Sequence, residues 1–303
     1  MRGRRGIALL IVLWALLLLG TLGMSFAFAM RTEATAARNA LDGARAYYQA
    51  RTGINRVIAL VSYAGLDNVL HAPVTGGEDD ASYEARVAGE GGKIDINLVA
   101  EGALKEILRK GELSPEESES IGDSILDWRD GDDVPRANGA EAPYYADLPV
   151  PVKPRDGRLA AVDELLSVKG VTPDLYGRLL SRVFTVHGNA LTVDINEAPV
   201  EVLRVLPGFT AEAADNVVSR RRSAPFRSPA EVAAFLAEAN LPAAALQSFS
   251  TTSSSRVYTI TSVGKAGGKI SRAVACRMVI GPGGSKSVKI VRWMDYVAVG
   301  EGD

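Results

Sequence analysis

Ile7-Ala-Leu-Leu-Ile-Val-Leu-Trp-Ala-Leu-Leu-Leu-Leu-Gly-Thr-Leu-Gly-Met-Ser-Phe-Ala-Phe-Ala-Met30 carries no charge, and no proline follows it before Ser62. As a helix the run spans about 36 Å, enough to cross a hydrocarbon core of about 30 Å. A secretory signal has an apolar core of only about 7–15 residues, so a retained anchor is the better reading. Phe26-Ala-Phe-Ala29 keeps the rival alive, because it resembles a signal-peptidase site. Arginines flank the run on both sides, Arg2, Arg4 and Arg5 before it and Arg31, Arg38 and Arg45 after it, so charge alone barely sets its orientation. The brevity of the leader favours an inside N-terminus. Beyond Met30, Leu41, Ala44, Tyr48, Ile54, Ile58 and Val61 recur at helical spacing with a gap at Arg51, which predicts that the same helix continues as an amphipathic one.

The remainder reads as a globular chain. Of 303 residues 47% are apolar and 23% charged, and the net charge of −2 gives no overall attraction to nucleic acid or to an anionic surface. Cys276 is the only cysteine, so no intrachain disulfide forms. His71 and His187 read as loop residues, and Cys276 as a packed thiol in an alternating strand. No phosphate loop, nucleophile elbow or zinc spacing is present, which argues for an assembly protein rather than an enzyme.

Residues 64–92 read as a connecting region with one short strand at Ser82–Val87. Two repeats follow. Gly92-Lys-Ile-Asp-Ile-Asn97 and Leu191-Thr-Val-Asp-Ile-Asn196 each precede an apolar helix, with the asparagine a natural N-cap. Val168-Lys-Gly-Val-Thr-Pro and Leu206-Pro-Gly-Phe-Thr-Ala each read as helix, glycine turn, threonine cap and helix, a helix-hairpin-helix pattern of the SAM-like kind. From Arg256 the pattern becomes β: Val257–Val263, Ile270–Ile280 and Val288–Tyr296.

The densest polar stretch runs from Asp127 to Tyr145. Asp127, Asp130, Asp132, Asp133 and Glu141 set five carboxylates in a glycine- and proline-broken loop after a helix. Hard cations such as Ca²⁺ want 6–8 oxygens held by tight turns, although the spacing is not that of an EF-hand. The competing reading is a solvated acidic loop whose aspartates cap their own turns.

Arg4-Arg-Gly6 followed by Ile7–Trp14 resembles a prepilin leader and mature start. With Arg31-Thr-Glu-Ala-x-x-Ala-Arg-Asn39, the chain resembles the K family of minor pseudopilins of bacterial type II secretion systems. The resemblance implies an α+β, type IV pilin-like fold, with a long N-terminal transmembrane helix packed on a small antiparallel sheet and an all-helical SAM-like domain inserted. It divides the chain into a leader (1–6), a membrane half-helix (7–30), pilin helix and first strands (31–98), the inserted domain (99–189), and a second hairpin segment with the C-terminal strands (190–303). It implies cleavage by a prepilin peptidase between Gly6 and Ile7, a single-pass inner-membrane location with the globular part periplasmic, calcium in the acidic loop, and assembly with the I and J minor pseudopilins and the major pseudopilin. Most pilins carry Glu where this chain has Ile11, a departure that characterises the K family and suits a subunit at the filament tip. The rival is a membrane-anchored, DNA-binding hairpin protein of a DNA-uptake system, for which Arg220–Arg222, Pro225-Phe226 and Glu231 are in step. Thr172 and Thr210 stand at its second glycine, and residues 197–250 hold six acids against five arginines. No nucleic-acid partner is therefore expected.

Overall fold

The computed structural model describes residues 4–70, 72–188, 191–251, 255–268, 270–282, 284 and 287–297. One helix, α1 (Arg4–Ala64), is unbroken over 61 residues. Its apolar half is bare: the side chains from Leu9 to Leu41 are exposed, and its most apolar window has a mean hydropathy of 2.4. The other half packs on a sheet. After a short α2 (Asp67–Leu70), β1 (Val74–Glu78) and β2 (Ala81–Gly89) form a hairpin. The C-terminal strands β7 (Val257–Ala266), β8 (Ile270–Ile280) and β9 (Val288–Val297) complete an antiparallel sheet of order β1-β2-β7-β8-β9.

The buried stripe of α1 is Ala46, which packs with Ala81 and Ala266, and then Ala50, Ile54, Val57 and Val61, facing Ala85, Val87, Tyr258, Ile260, Val274, Cys276 and Met278. Leu41 and Tyr48, predicted on the packed face, are 61% and 62% exposed, and Ala44 is exposed too. Close approach explains the correction. A Cβ on Gly264 would run into the backbone of Ala46 and Ala50, and one on Gly53 into Ser262 and Tyr83. The small Ala46, Ala50 and Gly53 let the helix sit low on the sheet, and Leu41 and Tyr48 are turned outward.

β2 and β7 are neighbours, so residues 90–256 form one excursion between paired strands. Both predicted helical segments lie in it and share one apolar core, distinct from the core under α1. The excursion therefore extends beyond the limits 99–189 expected for an insertion. It starts with a 3-10 turn (Glu90–Gly92) and the two-residue β3 (Ile94–Asp95), which pairs in parallel with β4 (Phe184–Thr185). Between them lie α3 (Glu101–Lys110), α4 (Pro115–Arg129), α5 (Ala142–Ala146), a 3-10 turn at Val162–Ser167, α6 (Pro173–Leu175), a π turn (Tyr176–Leu180) and α7 (Ser181–Val183). The second part repeats the plan: β5 (Val193–Asp194) pairs in parallel with β6 (Phe249–Ser250), enclosing α8 (Val200–Val205), α9 (Ala211–Ser223) and α10 (Pro229–Glu238).

The repeat holds at the level of single bonds, but the asparagines are not N-caps. Asp95 accepts from the Asn97 amide at 2.9 Å, freeing the Asn97 side chain to exchange two bonds with the backbone of Leu159. Asp194, Asn196 and Phe226 do the same. Arg129 donates to the Ile96 and Val99 carbonyls, and Arg221 to those of Ile195 and Ala198. The glycine hairpins also hold: Gly170 and Gly208 have φ of 83° and 76°, and Thr172 and Thr210 accept from Leu175 and Ala213, each at 3.1 Å.

Candidate functional site

The acidic loop leaves the end of α4. That helix is fixed at its start by a capping box, in which Ser114 accepts from Glu117 N and Glu117 accepts from Ser114 N. At its end Trp128 stacks edge-on against Tyr145, with centroids 5.0 Å apart, which ties both ends of the loop to the core. Asp127 is fully buried. Arg136 reaches back from the loop to place one guanidinium nitrogen 2.6 Å from Asp127 and 2.6 Å from Asp130. Gly139 packs against the Asp127 carboxylate, where a Cβ would collide.

The five predicted ligands therefore separate. Asp130, Asp132 and Glu141 converge, with one carboxylate oxygen from each within 4.8 Å of the others. Arg136 engages both oxygens of Asp127 but only Oδ2 of Asp130, and Asp133 is exposed outside the group. The convergent three are poorly satisfied. Glu141 is only 3% exposed, both its oxygens are buried without a partner, and so is Oδ1 of Asp130. Asp132 accepts one bond, from Val134 N at 3.0 Å. Burial, and then the charges of Asp127, Asp130, Asp156 and Asp132, push the Glu141 carboxyl up to about 7. An unpaired buried carboxylate beside two others fits a hard cation better than it fits a solvated loop. Arg136, Gly139 and Asp156 escaped the sequence reading. Arg136 and Gly139 lie inside the stretch from Asp127 to Tyr145, and the sign of charge at Arg136 was the available signal.

Gly6 and Ile7 fall in the first turns of α1, and Ile11 stands on its bare half, 63% exposed. Of the three basic residues behind the rival reading, Arg220 donates to the Ala224 carbonyl and covers the Phe226 ring, and Arg221 is the staple already described. Of the three, only Arg222 is exposed. His71 lies outside the described residues.

The comparisons speak to the same excursion. A family model for the first part of type II secretion system protein K matches residues 89–187. The match is a similarity over these residues, about a third of the chain. Type II secretion system protein K of Pectobacterium carotovorum subsp. carotovorum is 38% identical over 109 residues, 34% of this chain and 33% of that protein. The Aeromonas hydrophila protein of the same name is 32% identical over 105 residues, again 34% of this chain and 32% of that protein. The matches thus span about a third of the curated relatives. Across 89% of this chain and 100% of the solved chain, the fold is similar to one in the GspK–GspI–GspJ complex of the enterotoxigenic Escherichia coli type 2 secretion system, with a TM-score of 0.54 and 14% identity. The helix packed on its sheet and the helical excursion together match that architecture.

Proposed function

We propose that this chain is a minor pseudopilin of a type II secretion system that starts or caps the pseudopilus beside the I and J pseudopilins. One observation carries the reading: a single helix, bare and apolar in its first half, packs its second half on a sheet interrupted by a protein K domain. The bare half anchors the subunit in the inner membrane, with the globular part periplasmic, and offers its surface to the helices of other pseudopilins. A prepilin peptidase cuts after Gly6, leaving Ile7 as the new terminus. Ile11 places no carboxylate in the bilayer to receive a neighbour's amine, where such a pair would count heavily. A subunit that need not receive one suits the tip, as does an excursion of this bulk.

In this reading Asp130, Asp132 and Glu141 hold Ca²⁺, with Asp127 held close by Arg136. When bound, the ion supplies the positive charge that the buried carboxylates lack. The test of the assembly role is co-expression of the full chain with the I and J pseudopilins, followed by detergent extraction and purification through a tag on this chain. A three-subunit complex is expected, also with the major pseudopilin omitted. Recovery of the tagged chain alone would contradict the proposal.

A further inference from the structure

The core under α1 and the core of the helical excursion are separate, and a polar cluster bridges them. Glu90, 2% exposed, accepts from Thr185 Oγ1 of β4 at 2.6 Å and from Thr259 Oγ1 of β7 at 2.6 Å, with Lys93 Nζ at 3.7 Å. Beside it, Arg277 Nη1 of β8 lies 3.1 Å from His187 Nε2 at the end of the first helical repeat. A guanidinium can only donate, so Nε2 must present its lone pair and the ring must be neutral, with its proton on Nδ1. Arg277 Nε is already buried without a partner. A proton on Nε2 would turn the acceptor into a donor facing a cation.

We propose that His187 and Arg277 form an acid-released latch, which holds the helical excursion on the pilin sheet and loosens when His187 is protonated. The charged groups facing His187 are Arg277 of β8, Glu90 of the 3-10 turn and Asp95 of β3. Burial first, and then Arg277, outweigh the two carboxylates and hold the imidazole below its ordinary 6.5. The docked state therefore binds the proton less well than the loosened one. Docking is at full strength above the ordinary histidine value and weakens as pH falls through the value of the docked ring. Glu90 is itself held below the usual carboxylate range, so it stays charged through this window.

The test uses the full chain in detergent micelles. Amide exchange is followed across residues 90–96 and 184–188 at about pH 7.5 and about pH 5, corrected for the intrinsic pH dependence of exchange. Protection should fall on acidification by at most about 30-fold, the limit set by a docked ring that never protonates. In His187→Gln the amide oxygen still accepts from Arg277 and cannot charge, so the acid-induced loss should vanish. Equal protection at both pH values, or an equal loss in His187→Gln, would overturn the latch. Should that variant fail to fold, ring titration by NMR in a His71→Gln background decides. A His187 that titrates at or above the ordinary histidine value overturns the proposal, and one that titrates below it supports the latch.

Discussion

The two halves of the helical excursion share a turn, a staple and a clip, and differ in the loop between staple and clip. Each has the Asp-Ile-Asn turn, an asparagine exchanging two bonds with a distant backbone and an arginine staple; the glycine hairpin with its threonine cap follows the clip in the first half and precedes the staple in the second. In the second half the chain goes almost directly from the staple Arg221 to the clip partner Phe226, 30 residues after Asn196. In the first half the clip partner Leu159 lies 62 residues after Asn97, because the whole acidic loop has been let in between staple and clip. The bonds that both halves keep hold the scaffold, and what only one half has is the candidate site. Duplication thus separates the polar residues of the shared scaffold from those of the candidate site.

The staples should be the costliest to break. Arg129→Ala and Arg221→Ala each leave two buried carbonyls unpaired and should each lower stability by about 2–4 kcal/mol in denaturant titrations. A loss confined to one of them would mean that the repeat is only geometric. Next comes Glu141. Its folded value near 7 lies above the usual 4.5, so its contribution is fully present below 4.5 and is lost as pH rises through about 7. In EDTA, Glu141→Gln should therefore stabilise the full chain at alkaline pH by about 1–3 kcal/mol and change little at acid pH. Ca²⁺ at a hundredfold excess over Kd should raise the stability of the wild-type chain by about 2.7 kcal/mol, with less from Mg²⁺. Asp132→Ala combined with Glu141→Ala should abolish that shift. Identical melting in EDTA, Ca²⁺ and Mg²⁺ would return the loop to a solvated acidic one.

The asparagine clips sharpen the contrast. Asn97→Ala and Asn196→Ala should each cost about 1–2 kcal/mol, but only Asn97→Ala, which frees the far end of the acidic loop, should also shrink the calcium shift. Smallest are the caps. Thr172→Ala and Thr210→Ala should each cost about 1 kcal/mol and leave the calcium response unchanged.

What was legible in the sequence follows the reach of each interaction. The unbroken α1 and the three C-terminal strands depend on local pattern and stand where the pattern put them. The packed face of α1 was right at Ile54 and Val61 and misplaced at Leu41, Ala44 and Tyr48, because Ala46 and Ala50, which set the distance to Gly264, carry little hydropathy. β1 escaped notice because two of its five residues are glycines, which read as turn. The repeats were visible, but the asparagines were taken as caps, since their partners lie 62 and 30 residues away. At the acidic loop, composition gave the carboxylates and not the division among them. Arg136 decides that division by occupying both oxygens of Asp127 and only one of Asp130, a choice made only once the chain turns back on itself.

The pseudopilin reading is tested most directly by the intact mass and N-terminal residue of the chain recovered from membranes of cells that carry a prepilin peptidase. The account predicts a mature chain that begins at Ile7 with a methylated amine, and a Gly6→Val variant that keeps its leader. A chain beginning near Met30, or one that retains Met1 in the presence of the peptidase, would contradict it.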